Sequence, residues 1–232
     1  MRDLTRRAEE EERMDSPDLD PSVYAAVMAD LAQVNRITLA ARPTLAFLKR
    51  ALKGRTAFRL LDVGFGDGDM LRTIARLAAR RGIAAELTGI DLNPSSAAAA
   101  RAHTPAGMAI DWHTGDYADL AGGGYDFVIS SLVAHHMTRG QLTDFLRFME
   151  AEAAIGWLVN DLHRHRFAYA GFPLLARIMR WHEIVRHDGT LSIARSYRPA
   201  EWAPLLAEAD IPQGAARPFR AFPFRLCVER RR

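Results

Sequence analysis

The chain has 232 residues, 49% of them hydrophobic and 25% charged, which gives one domain enough apolar surface to bury and excludes a disordered or fibrous class. Basic residues exceed acidic ones by only 31 to 28, so no nucleic-acid partner is indicated, and the one cysteine, Cys227, excludes an internal disulfide or a cysteine-clustered metal site. No apolar run reaches the roughly 18 residues of a membrane span, and the charged opening MRDLTRRAEEEERMD lacks the apolar stretch of a signal peptide, so a cytoplasmic protein with no membrane partner is expected.

Residues 1–20 mix charges with Pro17 and show no apolar period, which predicts a mobile, frayed or partner-dependent extension without chemistry. Asp20-Pro21 reads as a helix cap followed by proline in the first turn. Val23, Val27, Leu31, Val34, Leu45 and Leu48 then recur at helical spacing, giving two helices over 21–54 broken near Arg42-Pro43. From residue 58 the pattern changes. Residues 58–63 form an apolar strand that ends in Gly64-Phe65-Gly66-Asp67-Gly68, and Met70, Leu71, Ile74 and Leu77 mark one face of the next helix. A second strand over 86–90 ends at Asp91, with Asn93 as cap and Pro94 at the start of its helix. A third strand is expected over 108–113 before Gly115-Asp116, and a fourth over 125–130. Thr138 and Gln141 make a capping box for the helix carrying Leu142, Phe145, Leu146 and Phe148. Residues 155–159 read as a fifth strand, and five strand-then-helix units favour a parallel, doubly wound sheet. Residues 162–197 break the rhythm. A helix led by Pro199 and a final pair of strands follow, with Cys227 a small core side chain in the last.

A glycine loop between strand and helix lets backbone approach a ligand closely, and the helix start offers unpaired N–H groups. The glycines fall at 64, 66 and 68, whereas a dinucleotide fingerprint wants the third at 69, which is Asp69. With Asp62 and Asp67 added, a pyrophosphate would meet negative charge there. A ligand with an ammonium and a cationic centre would not. Asp91 is placed to accept ribose hydroxyls and Asp116 to accept from an adenine amine, against the plainer readings of a capping acid and a turn acid. Gly64–Gly68, Asp91, Asp116, residues 130–136 and residues 161–165 all follow successive strands, so in a parallel sheet they share the edge where ligands bind.

Leu61-Asp62-Val63-Gly64-Phe65-Gly66-Asp67-Gly68, Gly89-Ile90-Asp91-Leu92-Asn93-Pro94, Gly115-Asp116-Tyr117, and Tyr125-Asp126-Phe127-Val128-Ile129-Ser130 with Ser131-Leu132-Val133-Ala134-His135-His136 stand in register over roughly residues 55–160. In these runs the chain resembles the class I S-adenosylmethionine-dependent methyltransferases. The fourth run looks like that of bacterial small-molecule enzymes. Asn160-Asp161-Leu162-His163-Arg164-His165, His187-Asp188-Gly189 and Ser196-Tyr197-Arg198-Pro199 are similar to a subgroup associated with phenolic and polyketide natural products. The resemblance implies a Rossmann-like α/β fold: a mainly parallel seven-stranded sheet with an antiparallel last strand, an N-terminal helical extension and a helical lid inserted after strand five. It implies S-adenosyl-L-methionine as cofactor, with Gly64, Gly66 and Gly68 bordering the methionine, Asp62 its ammonium, Asp91 the ribose, Leu92 the adenine face, Asp116 and Tyr117 the adenine edge, and Ser130 a carbonyl near the methionine. The chain has no Asn/Asp-Pro-Pro-aromatic run after strand four and no paired-glutamate loop, which argues against methylation of DNA bases, glutamine or protein arginine.

A sulfonium methyl needs mainly alignment, which can contribute about 7–11 kcal/mol, whereas a phenolic acceptor must also lose a proton, a task for a histidine. His135 or His136, beyond strand four, and His163, beyond strand five, are the candidates, with His165 a further one; no metal cluster is expected. Residues 162–197 with the N-terminal helices would form the lid and acceptor pocket, Phe167, Tyr169, Phe172 and Trp181 stacking on a flat aromatic acceptor; the same stretch reads equally as ordinary core or as a homodimer surface. O-methylation of such an acceptor is the leading reading, with C- or N-methylation beside it. Two competitors are a nicotinamide-dependent reductase, disfavoured because the only lysines are Lys49 and Lys53, and a non-catalytic cofactor-binding assembly subunit.

Overall fold

Side chains alternate between two cores along the central strands of the computed structural model, which describes residues 2–16 and 18–232. In β1 (Ala57–Val63), Phe58 and Leu60 point to one face and Leu61 and Val63 to the other; β4 (Tyr125–Ser131) and β5 (Ala153–Leu162) repeat the pattern with Phe127 and Ile129 opposite Val128, and Leu158 opposite Trp157 and Val159. Strands buried on both faces read as continuous apolar runs, and each such Leu or Val contributes about 1.5–3 kcal/mol of burial.

The remaining strands are β2 (Ala84–Asp91), β3 (Asp111–Thr114), β6 (Ala216–Ala221) and β7 (Arg225–Arg231), in the order β3-β2-β1-β4-β5-β7-β6. The first five run parallel, and β7 is antiparallel to both β5 and β6, as the resemblance implied. One face of the sheet carries α5 (Arg139–Glu152) and α8 (Pro199–Glu208); the other carries α2 (Arg42–Ala51), α3 (Asp69–Arg80) and α4 (Pro94–His103). Cys227 is fully buried in the second face, where burial pushes its thiol up to about 12.

Local chemistry sets the helix starts. Asp20 caps α1 (Pro21–Ile37) by accepting from the N–H groups of Ser22 and Val23, Asn93 caps α4, and Thr138 with Gln141 forms the capping box of α5, each as read from sequence. Over 162–197 the chain makes two helices, α6 (Arg166–Ile178) and α7 (Glu183–Arg195), and these pack with α1 through Val27, Val34, Ala176, Trp181 and Val185 as a third layer above the sheet edge.

Four expectations are corrected. The third strand is Asp111–Thr114 rather than 108–113, because its register with β2 starts only at Thr88↔Asp111. The fifth strand runs three residues beyond 159, because β7, distant in sequence, continues its antiparallel pairing to Leu162↔Arg225. Of the helices over 21–54, only α1 reaches the upper layer; α2 buries Phe47 and Leu48 beneath the sheet against Phe58 and Phe127. The expected mobile extension is also packed, although Met1 and Pro17 of it lie outside the described residues. Ala8 is buried against Leu191 and Ala194 of α7, Arg7 donates to the carbonyls of His135 and Met137 at 2.6 and 2.7 Å, and Glu12 is buried. Its anchors are backbone carbonyls and a few spaced side chains, which leave no apolar period to read.

Candidate active site

A cavity of about 720 Å³ lies beyond the carboxyl ends of β1, β2 and β4 and is roofed by α1, α6 and α7. That is the crevice where a doubly wound sheet binds ligands. Gly64, Gly66, Asp91, Leu92, Tyr117, His135 and His136 all line it.

On the β1–β2 side the backbone of the glycine loop turns through left-handed conformations. A Cβ on Gly64 (φ +76°) would collide with Val133, and one on Gly68 (φ +80°) with the Trp112 ring, whereas Gly66 (φ +59°) faces open space. Gly68 is thus required by packing rather than by the cavity wall. Gly66 N donates to Asp91 Oδ2 at 2.8 Å and Asn93 N to Asp91 Oδ1 at 2.9 Å, so the carboxylate is aimed by two amides and keeps lone pairs for a ligand. Leu92 is 75% exposed beside it, a flat apolar surface with nothing packed on it.

Beneath the loop, Asp62 is 1% exposed and neither of its carboxylate oxygens has a hydrogen-bond partner among the described residues. Burial, and then the charge of Asp91, push its carboxyl well above the usual carboxylate range. The hydroxyl of Ser130, across the β1–β4 register, is likewise buried and unpartnered. Three orphaned acceptors under a glycine loop are costly unless a donor or cation enters, and with Asp91 and Leu92 they fit the ammonium, ribose and base of S-adenosylmethionine.

The opposite wall carries proton-handling groups. His135 Nδ1 lies 2.7 Å from Asp161 Oδ1, and the His135 backbone N–H donates to Asp161 Oδ2 at 2.8 Å. Burial alone would raise the Asp161 carboxyl, but the adjoining His135 and the amides of His135 and Leu162 outweigh it and hold it below its ordinary value. The far nitrogen of His135 is 3.7 Å from Glu12 Oε1, and His136 Nε2 is 3.9 Å from Glu12 Oε2. Glu12 accepts from Ser192 Oγ at 2.8 Å and lies 3.9 Å from the Arg195 guanidinium, which also donates to the His135 and His136 carbonyls. Glu12, His135 and His136 are of metal-ligating type, with ligand atoms within 4.8 Å of one another, and Arg195 already supplies that carboxylate with a cation.

Other expected residues lie elsewhere. His163 is outside the cavity lining, its ring tilted against that of His165 (centroids 5.2 Å apart), and burial with its cationic neighbours pushes its imidazole down to about 4. Asp116 caps the short helical turn Tyr117–Leu120 through the Ala118 N–H and faces solvent. The Tyr117 ring reaches the cavity wall but also packs on Phe145 and Phe148. Phe167 and Phe172 line the cavity, Trp181 is buried behind Phe172, and Tyr169 faces a separate surface hollow. Sequence reasoning missed Glu12 and the role of Asp161 as partner to His135. An acid two residues past an expected strand end, opposite paired histidines, was the signal available for Asp161; nothing in the sequence marks Glu12.

Residues 60–172 match a family model described as a methyltransferase domain, Methyltransf_25. No curated protein matches the chain by sequence. Among solved structures, the plantazolicin methyltransferase BpumL, in complex with a triazolic desmethylPZN analog and SAH, is 16% identical with a TM-score of 0.67, over 92% of each chain. Human N-acetylserotonin methyltransferase, in complex with SAM, is 17% identical with a TM-score of 0.60, over 88% of this chain and 54% of that one. Magnesium protoporphyrin IX methyltransferase from Synechocystis PCC 6803, with bound SAH, is 16% identical with a TM-score of 0.58, over 95% of this chain and 91% of that one. Residues 60–172 thus carry a methyltransferase domain, and the chain shares the fold of methyltransferases solved with SAM or SAH bound.

Proposed function

We propose that the protein transfers the methyl group of S-adenosylmethionine to the hydroxyl of a small aromatic acceptor, phenolic or polyketide-like, with His135 as the base. S-adenosylmethionine is the cofactor, and when bound it supplies a methyl group on a cationic sulfur that needs little activation. The loop at Gly64 and Gly66 takes the methionine end, with the buried Asp62 and Ser130 behind the cavity lining as its polar partners; Asp91 accepts from the ribose hydroxyls, and Leu92 and Tyr117 border the adenine. Asp116 contributes through the turn it caps.

The acceptor sits under α1, α6 and α7, where Met28, Leu31, Phe167, Phe172 and Leu175 give a water-poor apolar chamber. Alignment of the acceptor oxygen with the methyl–sulfur bond supplies the largest share of the rate. His135 donates its Nδ1 proton to Asp161, which leaves the lone pair on the other ring nitrogen to accept the hydroxyl proton; Asp161 then stabilises the imidazolium formed. The observation that carries this reading is that His135 both lines the cavity and is aimed by a buried carboxylate 2.7 Å away. Incubating the protein with methyl-labelled S-adenosylmethionine and an extract of its own cells, then identifying the labelled product, tests it. A labelled aromatic ether supports the reading; a labelled amine or carbon, or no product despite cofactor binding, refutes it.

A further inference from the structure

The rim of the cavity is apolar and basic at once. Ile37, Phe167 and Phe224 line the cavity and are 43%, 61% and 44% exposed, so they form its mouth. They are neighbours: the His165 ring lies 5.4 Å from Phe167 and 5.1 Å from Phe224, and Arg225 donates to Thr38, next to Ile37.

From this mouth an exposed apolar stripe runs along α6. Phe167, Gly171, Leu174 and Ile178 follow the spacing i, i+4, i+7, i+11, so they share one face, and Leu174 and Ile178 are 61% and 69% exposed. The opposite face of α6, with Phe172, Leu175 and Ala176, is already packed against α1 and α7. The helix therefore has two apolar faces and only one is covered. Phe222, at the β6–β7 turn beside Phe224, also projects into solvent.

The charge on these segments is one-signed. Residues 31–61, 162–182 and 211–228 contain no Asp or Glu. Exposed Arg36, Arg42, Arg166, Arg177, Arg180 and Arg220 lie on them, and none pairs with a carboxylate among the described residues. Other arginines of the same stretches, Arg50, Arg59 and Arg217, do find acids, Glu229 and Glu86, as Arg139 and Arg147 do elsewhere with Glu208 and Asp144.

We propose that this face docks on the surface of an anionic phospholipid bilayer, the apolar stripe entering the headgroup boundary and the arginines meeting lipid phosphates, so that a lipophilic acceptor passes from the lipid into the cavity. An apolar helix face flanked by arginines is the composition of an interfacial helix, and anionic lipid adds attraction for each basic side chain. A protein partner seated here would plug the cavity mouth; a lipid surface covers the rim and leaves the mouth open to apolar solutes. The acceptor route rests on the function proposed above, whereas the docking does not.

The test is co-sedimentation of the full chain with vesicles of phosphatidylcholine and phosphatidylglycerol, and with vesicles of phosphatidylcholine alone. Binding to the mixed vesicles at low salt, weakened by added salt and absent from phosphatidylcholine, is expected. Arg166→Gln with Arg177→Gln should weaken it about 30-fold, and Leu174→Ser with Ile178→Ser should abolish it while cofactor binding and the unfolding temperature hold, since both side chains face solvent. Failure of the protein to bind mixed vesicles, or binding indifferent to both pairs, overturns the proposal. So does a concentration-dependent dimer that Leu174→Ser with Ile178→Ser dissolves, because a second copy then covers the face. Intact calorimetric binding of S-adenosylmethionine in any of these cases leaves the proposed function standing.

Discussion

Asp161→Asn changes one atom of a buried side chain and separates base catalysis from simple positioning. Asp161 accepts from the His135 backbone at 2.8 Å and the Leu162 backbone at 2.7 Å, and its Oδ1 meets the His135 ring at 2.7 Å. Asparagine keeps one acceptor oxygen and offers an amide N–H2 at the other position. Where that amide faces Nδ1 it donates, so the imidazole proton moves to the other nitrogen and the lone pair leaves the cavity side. Loss of a general base costs about 10²–10⁴ in rate, or roughly 3–5.5 kcal/mol of transition-state stabilisation. The fold loses less, about 1–3 kcal/mol for a buried group left short of a partner, which a domain with about 5–15 kcal/mol in hand survives. The assay is label transfer under saturating acceptor, with the KM for S-adenosylmethionine measured alongside. A fall in kcat of at least a hundredfold at unchanged cofactor KM is expected. The Asp161 carboxyl is held below its ordinary value, so its stabilisation is present at all pH above that value and lost only as pH falls through the folded one; protonation of Asp161 plays no part at neutral pH. A variant within threefold of the original rate refutes the base assignment and leaves alignment as the whole mechanism.

Gly66→Ala places a methyl group in open space at a left-handed residue, so it should cost only about 1–2 kcal/mol of backbone strain in the unfolding free energy yet weaken S-adenosylmethionine binding at least tenfold by calorimetry. Asp62→Asn removes a buried, unpartnered carboxyl whose ionisation burial opposes, a penalty the fold carries at neutral pH, so thermal unfolding should shift upward while cofactor affinity drops; a lower unfolding temperature with normal affinity contradicts the ammonium role. His163 titrates near 4 when folded against 6.5 unfolded, so the unfolded chain alone takes up the proton as pH falls between those values, and stability should decline there by at most about 3 kcal/mol. His163→Asn should flatten that slope in denaturant titrations at several pH values without changing methyl transfer.

The half of the site proposed to hold the cofactor was legible because its signals are local. Gly64 to Gly68, Asp91 and Asn93 sit at strand ends whose apolar runs and capping residues are visible within a few positions, and parallel topology places successive strand ends on one edge. Expectation failed where a distant segment decided the outcome. The fifth strand lengthens because β7 pairs with it some sixty-five residues later in the chain, at Asn160↔Cys227 and beyond. Asp161 thereby becomes a strand residue whose side chain is buried, rather than a loop acid. His163 sits two residues further, where the extended backbone ends in a bridge to Tyr197 and its ring falls outside the cavity.

The half proposed to hold the acceptor shows the same logic in stronger form. Glu12 is brought to His135 by contacts that carry no sequence period: Arg7 and Arg195 donating to the same loop carbonyls, the Met14 N–H donating to Asp188 at 2.9 Å, and Ala8 seated on α7. A charged segment of this kind reads as solvated because its charges are satisfied by backbone carbonyls and buried acids that only the folded chain assembles. Its presence has a chemical consequence. With Asp161 on one nitrogen and Glu12 near the other, His135 sits between two carboxylates, and Arg195 offsets the cost of burying Glu12. The N-terminal segment, through Glu12 and Met14, therefore lines the same cavity as His135 beyond the end of β4.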